Sequence, residues 1–220
     1  MLSPAAVLLH LASTSPARLA TLRAAGIEPV VIPSEVDEEA AVREAAAASG
    51  GPLSPHELVL LLARLKAEAV AAGPGPDGAP ITGLVLGGDS AFELGGRVYG
   101  KPHRPEVALE RWREQRGRSG VLHSGHWLIE LVDGRAVGET GATSAAVVRF
   151  ADDIDDAELE AYVASGEPLE VAGAFTIDAK GGAFIDRIEG DPHTVVGLGL
   201  PTLRRMVREL GHDWPSLWNR

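Results

Sequence analysis

Two separated segments of the chain combine residue types that can bind a phosphate group. The first, Ser13-Thr14-Ser15-Pro16-Ala17-Arg18, follows an apolar run and begins a helical pattern. A helix start leaves backbone N–H groups without partners and favours negative charge, so Ser13, Ser15 and Arg18 could surround an anion there. The same residues also fit an ordinary helix cap followed by a solvated arginine, which is the more common case.

The second segment, Gly87-Gly88-Asp89-Ser90, follows the apolar run Leu84-Val85-Leu86. This order predicts a buried strand that ends in a glycine turn bearing Asp89. A carboxylate in such a place could take a proton from water or bind a divalent metal. It could equally hold the turn by hydrogen bonds to the backbone, and the segment alone does not decide between these roles.

Lysine is rare in this chain, which contains only Lys66, Lys101 and Lys180. Lys101 lies between Gly100 and Pro102 on a stiffened turn, and Lys66 lies near the apolar face of a predicted helix. A surface lysine that extends to solvent explains either position. Because arginine supplies most of the positive charge, we expect Lys66 and Lys101 to have a specific role in anion binding.

Composition limits the class of protein that could position these residues. The chain has 220 residues, of which 45% are hydrophobic, and a formal net charge of −11. This predicts one domain over residues 1–220 with a good hydrophobic core, and it disfavours a nucleic-acid polymer or an anionic membrane as partner. Cysteine is absent, and the first residues lack the pattern of a signal peptide, so we predict a cytoplasmic protein.

Apolar periodicity predicts the elements that hold the candidate site. Val7–Leu11 predicts a first strand, Pro16 begins a helix that stops at Gly26, and residues 27–32 predict a second strand. A longer helix runs from Ser54 to Ala72, with Leu58, Leu61, Leu62 and Leu65 on its buried face. The alternation predicts an α/β fold, a mixed sheet flanked by helices, with a cleft where Ser13, Glu38 and Asp89 converge.

Other polar features are weaker candidates. In His123-Ser124-Gly125-His126 the histidine spacing sends the two rings to opposite faces of a predicted strand, which makes a poor metal site. The acidic run Asp152–Asp156 is explained by capping of a helix predicted over 152–165. His193 lies in a predicted turn and is a possible substrate contact.

These residues together resemble the Maf family of nucleoside triphosphate pyrophosphatases. No single motif is specific, but their number and order match the family from Leu11 to Gly211. The matching segments are Leu11–Arg18, Val36-Asp37-Glu38, Leu86–Ser90, Gly100-Lys101-Pro102, Gly166–Leu169, Ala172–Phe175, Ile188–Asp191 and Val195–Leu198.

The resemblance implies hydrolysis of a nucleoside triphosphate to the monophosphate and pyrophosphate with a divalent cation, Mg²⁺ or Mn²⁺. It places Asp89 at the family's proton-acceptor position, and we expect Asp89 and Glu38 to help hold the cation. It also implies an elongated mixed sheet with two lobes around a central cleft, commonly in a homodimer, and a role in cleaning the nucleotide pool or in division control. Positions that line the family's triphosphate site are Ser13, Arg18, Glu38, Lys66 and Lys101.

The chain departs from the family where base choice is thought to be set. Ala17 stands where many relatives have a basic or aromatic residue, and Ser90 where several have threonine. Asp178 replaces the glutamine or glutamate of other members, and an aspartate favours a base edge with donors, such as that of guanine. The preferred base therefore stays open, with Ala17, Ser90 and Asp178 as the positions expected to decide it.

Two other functions are compatible with the same residues. Gly88-Asp89-Ser90 matches the nucleophile block of GDSL-type serine esterases, with Ser90 as nucleophile, but the chain contains no Asp-x-x-His pair. A non-catalytic nucleotide sensor in division control would keep the phosphate-binding residues without needing a base.

Overall fold

The computed structural model describes residues 7–220, which form a mixed α/β fold around one seven-stranded sheet. The strands are β1 (Leu9–Ala12), β2 (Val30–Val31), β3 (Gly83–Leu94), β4 (Arg97–Tyr99), β5 (Ser119–Val132), β6 (Arg135–Phe150) and β7 (Ile185–Glu189). The helices are α1 (Pro16–Ala24), α2 (Glu38–Ser49), α3 (Pro55–Ala71), α4 (Pro105–Gln115), α5 (Asp156–Ala164), α6 (Pro192–Val196) and α7 (Leu200–Glu209).

The sheet combines parallel and antiparallel pairs in the order β2-β1-β3-β5-β6-β7, with β4 paired to β3. β1 lies parallel to both β2 and β3, whereas β4 runs antiparallel to β3 and β7 runs antiparallel to β6. This confirms the predicted mixed sheet flanked by helices.

The chain divides into two compact units. The first comprises the residues up to Asp89 together with Gly125–Thr143 and Leu200–Arg220. The second comprises Ser90–Ser124 and Ser144–Gly199. The predictions of a single domain over residues 1–220 and of an elongated, two-lobed molecule with a central cleft stay predictions.

In the first unit, glycines let helices lie very close to the sheet. A Cβ on Gly87 would lie 2.0 Å from the carbonyl oxygen of Ala63, and one on Gly125 would lie 2.1 Å from that of Val59. Since Ala63 and Val59 both belong to α3, this helix packs directly on sheet backbone. Neighbouring strand residues point to opposite faces, and a Cβ on Gly88 would meet the Arg18 side chain, so α1 and α3 lie on opposite faces.

The second unit has an aromatic core. Phe150 contacts Phe92, Trp112 and Phe175 edge to face, with ring centroids between 5.1 and 5.8 Å apart. The indole N–H of Trp112 donates to the carbonyl oxygen of Ala174 at 2.6 Å.

Four sequence-based expectations for the elements are wrong in detail. β3 does not end in a glycine turn but continues to Leu94, because both glycines are needed for close packing in mid-strand. Of the predicted leucine face of α3 only Leu62 is buried, whereas Leu58, Leu61 and Leu65 are half-buried. The helix instead places Ala63 and Ala67 against Gly87, where only small side chains fit. The second strand has just two residues, and α5 begins at Asp156, where Asp155 caps it.

Within residues 7–220, no helix has both the length and the apolar character needed to cross a bilayer.

Candidate active site

The turn after β1 is organised by the two predicted serines. The backbone N–H of Ser15 donates to Ser13 Oγ at 3.2 Å, and that of Arg18 donates to Ser15 Oγ at 3.4 Å. Ser15 is therefore the cap of α1, as the sequence predicts. Each hydroxyl still has its own hydrogen to donate, so both serines can accept these bonds and also contact an anion.

Asp89 lies just beyond the end of the neighbouring parallel strand. The last residue of β1, Ala12, pairs with Gly87, and β3 then continues past it. Because Gly87 and Asp89 are two residues apart on a strand, both point to the face covered by α3. Asp89 is thus fixed by regular strand backbone, which orients its carboxylate more firmly than the predicted turn would.

Lys66 on α3 joins the two predicted carboxylates. Its Nζ lies 2.7 Å from Asp89 Oδ1 and 2.9 Å from Glu38 Oε1. The side chains of Lys66 and Asp89 are only 11% and 14% exposed, whereas that of Glu38 is 48% exposed. The structure therefore brings together a mostly buried acid, a mostly buried lysine and a second acid at the surface, all within the first unit.

The surroundings of Asp89 shift its proton affinity in opposing directions. Burial raises the pKa of Asp89 above its ordinary value, while the positive charges of Lys66 and Arg18 oppose that rise. A carboxyl whose pKa lies above the usual range is a stronger base when ionised than an exposed aspartate. This combination of burial and cationic neighbours is common at catalytic positions.

Arg18 is buried beneath the β3 glycines rather than extended into solvent. It is 8% exposed, and its Nη1 donates to Ser13 Oγ at 3.1 Å. A Cβ on Gly88 would lie 3.2 Å from Arg18 Nε, so the absence of a side chain at Gly88 makes room for the guanidinium. Burial lowers the pKa of Arg18, and the negative charges of Asp89 and Glu38 oppose this shift. Arg18 therefore interacts electrostatically with the two acids, and we call Arg18, Lys66, Asp89 and Glu38 together the cluster around Asp89.

The remaining predicted residues lie at three places. Ala17 is half-buried in the first turn of α1. In the second unit, Lys101 is exposed on the turn after β4, where Arg111 Nη1 donates to the carbonyl oxygen of Gly100 at 2.6 Å. Asp178 is exposed on a turn between Phe175 and Lys180.

Ser90 takes part in a buried polar network of the second unit. Its Oγ lies 3.1 Å from Ser124 Oγ, and Ser124 donates to the carbonyl oxygen of Thr194 at 2.8 Å. Thr194 in turn donates to Ser144 Oγ at 2.9 Å. In the sequence this segment stands out only for its histidines. The available signal was that Ser124 shares a face of the predicted strand with Leu122, where a buried hydroxyl needs a partner.

The chemistry of the cluster fits a phosphate-bound divalent cation only in part. In the portion of the chain that the structure describes, no three His, Cys, Asp or Glu side chains are arranged to hold a metal ion. Asp89 and Glu38 nevertheless both lie against Lys66, and Mg²⁺ with substrate phosphates is commonly held by one or two carboxylates. The pair therefore suits a cation that the substrate helps to bind.

The sequence matches known proteins along nearly its whole length. The model of the family described as Maf-like protein matches residues 8–210. A protein of Leifsonia xyli subsp. xyli named nucleoside triphosphate pyrophosphatase is 67% identical over 212 residues, covering 96% of this chain and 97% of that protein. A protein with the same name from Salinispora tropica is 51% identical, over 96% of this chain and 88% of its own length. Another, from Rhodococcus opacus, is 48% identical over 94% of this chain and 94% of its own length.

Among solved structures, a nucleoside-triphosphatase, or dITP/XTP pyrophosphatase, of Mycobacterium abscessus aligns with 80% of this chain and 92% of its own. Its TM-score of 0.33 and sequence identity of 14% are too low to support an argument.

Proposed function

We propose that this chain, which belongs to the Maf-like protein family, hydrolyses nucleoside triphosphates to nucleoside monophosphates and pyrophosphate. The match to the family model and the identity to the relatives confirm the family resemblance that the sequence motifs indicated. The activity is the one named for its relatives, and one observation of this chain supports it above others. Asp89 is mostly buried, fixed by strand backbone and 2.7 Å from Lys66, an arrangement that suits a general base beside a phosphate.

In this mechanism Asp89 orients a water molecule and accepts a proton from it as the water oxygen attacks the α-phosphorus. The bond between the α-phosphorus and the bridging oxygen breaks, and pyrophosphate leaves. Lys66 opposes the rise in the pKa of Asp89 that burial causes, and we assign Lys66 to the substrate's phosphate oxygens as well. Fixed charge and positioning supply most of the rate enhancement in such reactions.

The neighbouring residues bind the triphosphate. Arg18 contributes a buried positive charge, while Ser13 and Ser15 supply hydroxyl hydrogens at the start of α1. We assign Lys101 to the phosphates, and Ala17, Ser90 and Asp178 to the nucleoside, on the strength of the family resemblance. The preferred base and the homodimer that the resemblance implies are proposals of the same kind, as is a location in the cytoplasm.

A divalent cation, Mg²⁺ or Mn²⁺, is proposed on grounds of charge balance. Arg18 and Lys66 face Asp89 and Glu38, so these two cations and two carboxylates have no net attraction for a polyanion. When bound, the cation supplies the charge that neutralises phosphate oxygens in the transition state. Asp89 and Glu38 are the side chains that would hold it.

Incubating the protein with a panel of nucleotides and MgCl₂, and measuring pyrophosphate release, tests this function. We expect pyrophosphate and nucleoside monophosphate in equal amounts from at least one nucleotide. A nucleotide sensor would bind nucleotides without releasing pyrophosphate. An esterase would instead hydrolyse an ester substrate and lose that activity to a serine-directed inhibitor.

A further inference from the structure

Glu167, in the second unit, accepts hydrogen bonds from three donors of one later turn. Thr176 Oγ1 donates to Glu167 Oε1 at 2.6 Å, and the backbone N–H of Gly181 donates to the same oxygen at 2.9 Å. The backbone N–H of Lys180 donates to Oε2 at 3.2 Å. One carboxylate therefore holds both ends of the segment 176–181.

The turn enclosed by these bonds has an inner and an outer side. Ile177 packs against the aromatic core, and the next residue, Asp178, is exposed. Gly181 closes the turn so tightly that a Cβ there would lie 2.5 Å from the Tyr162 hydroxyl oxygen and 2.6 Å from the Thr176 carbonyl oxygen. The position of Asp178 is therefore set by the backbone that Glu167 binds.

Glu167 is suited to this role at neutral pH. Burial raises its pKa, but the hydrogen bonds from Thr176, Gly181 and Lys180 outweigh that effect and leave the pKa below its ordinary value. The ionised carboxylate accepts from all three donors, whereas a glutamine amide would turn its own N–H groups toward some of them.

We propose that Glu167 is the positioning residue for base recognition, because it holds the turn that presents Asp178 to the nucleobase. This inference rests on the proposed function and on the assignment of Asp178 to the nucleoside. Asp178 accepts hydrogen bonds only, so the turn selects a base edge with adjacent N–H donors, as guanine has, over one with fewer donors, as uracil has. Glu167 itself does not touch the substrate.

The test compares nucleotide binding by Glu167→Gln and by a matched control, Glu170→Gln. Glu167–Glu170 form a short 3₁₀ helix, and Glu170 at its other end is exposed and contacts His103. The probes are the α,β-methylene analogues of GTP and UTP with Mg²⁺, which cannot be cleaved at the reacting bond. Because the readout is a ratio of two Kd values, it does not depend on turnover, and a uniform loss of stability does not change it.

We expect the wild-type protein and Glu170→Gln to favour the guanosine analogue, and Glu167→Gln to lose roughly tenfold of that preference. Adding Asp178→Asn to Glu167→Gln should change the ratio no further, because both substitutions disable the same contact. A wild-type ratio near one, or an unchanged ratio in Glu167→Gln, overturns the inference.

Amide hydrogen exchange supplies a second, independent readout. Exchange at Lys180 and Gly181 should accelerate at least about tenfold in Glu167→Gln and stay unchanged in Glu170→Gln. Equal exchange in both variants contradicts the role of Glu167. Should the wild-type protein bind the analogues selectively yet release no pyrophosphate from nucleotides, the proposed catalysis fails while the role of Glu167 stands.

Discussion

Asp89 combines two properties that an exposed carboxylate lacks. Burial raises its pKa and so makes it a better proton acceptor, while the charge of Lys66 at 2.7 Å opposes that rise. A buried ion pair adds little stability on balance, because desolvation offsets the attraction between the charges. The pair is therefore better explained by chemistry than by folding.

Replacing the base should remove turnover without removing the fold. Asp89→Asn keeps the size of the side chain, and Lys66 keeps its contact with Glu38 at 2.9 Å. We expect pyrophosphate release to fall by about 10²–10⁴-fold. Urea unfolding should show a midpoint close to that of the wild-type protein, and near-normal activity in this variant would refute the assignment of Asp89.

The pH dependence of activity should show how burial and the charge of Lys66 together set the pKa of Asp89. Because the base must be ionised, kcat/KM falls as the pH drops through the pKa of Asp89, which lies above that of an exposed aspartate. Lys66→Met removes a charge that lowers this pKa, so the acid limb should move to higher pH. The control is Arg64→Met, which removes one charge from the exposed side of the same helix, where Arg64 pairs with Glu68. An acid limb that stays in place in Lys66→Met contradicts this account.

For individual residues, the sequence alone indicated several members of the site. Ser15 could be recognised as a helix cap, and the rarity of lysine pointed to Lys66. The buried position of Arg18 could not be predicted, because it depends on the empty space above Gly88 on another element. The hydrogen bonds of Glu167 could not be predicted either, because its donors lie nine to fourteen residues later in irregular backbone.

The position of α3 determines whether Lys66 can reach Asp89. Gly87 and Gly125 allow the helix backbone to contact the sheet directly, which carries Lys66 to within hydrogen-bond distance of the strand. The two glycines before Asp89 are visible in the sequence, but a glycine can either form a turn or let another element pack closely on a strand. The pattern indicated a turn, whereas the structure has a continuous strand against which α3 packs.

A methyl group at this contact should disrupt both packing and activity. Gly87→Ala would place its Cβ 2.0 Å from the Ala63 carbonyl oxygen, so α3 must move away from β3. We expect the free energy of unfolding to fall by about 3 kcal/mol or more, with loss of pyrophosphate release.

Gly51→Ala is the matched control, since nothing lies within 4 Å of a Cβ at that position. Its free energy of unfolding should change by less than about 0.5 kcal/mol in a urea titration. A change of similar size in both variants would contradict the proposed contact between α3 and the sheet.

For the whole molecule, the net charge of −11 opposes any polyanionic substrate unless cations are concentrated locally. The cluster around Asp89 does not itself supply an excess of positive charge. The proposed need for a divalent cation therefore follows from the charge of the whole protein as well as from that of its site.

Removing divalent cations should therefore abolish activity while leaving the fold unchanged. We expect excess EDTA to eliminate pyrophosphate release, MgCl₂ or MnCl₂ to restore it, and the far-UV circular dichroism spectrum to be the same throughout. Activity that persists in EDTA would show that Arg18, Lys66 and Lys101 neutralise the phosphates unaided.

In the proposed mechanism, a water molecule activated by Asp89 attacks the α-phosphorus. Hydrolysis of the preferred nucleotide in H₂¹⁸O, followed by mass spectrometry of both products, tests it most directly. We predict that one ¹⁸O atom enters the nucleoside monophosphate and that pyrophosphate contains none. Label in the pyrophosphate, or release of orthophosphate in its place, would contradict the account.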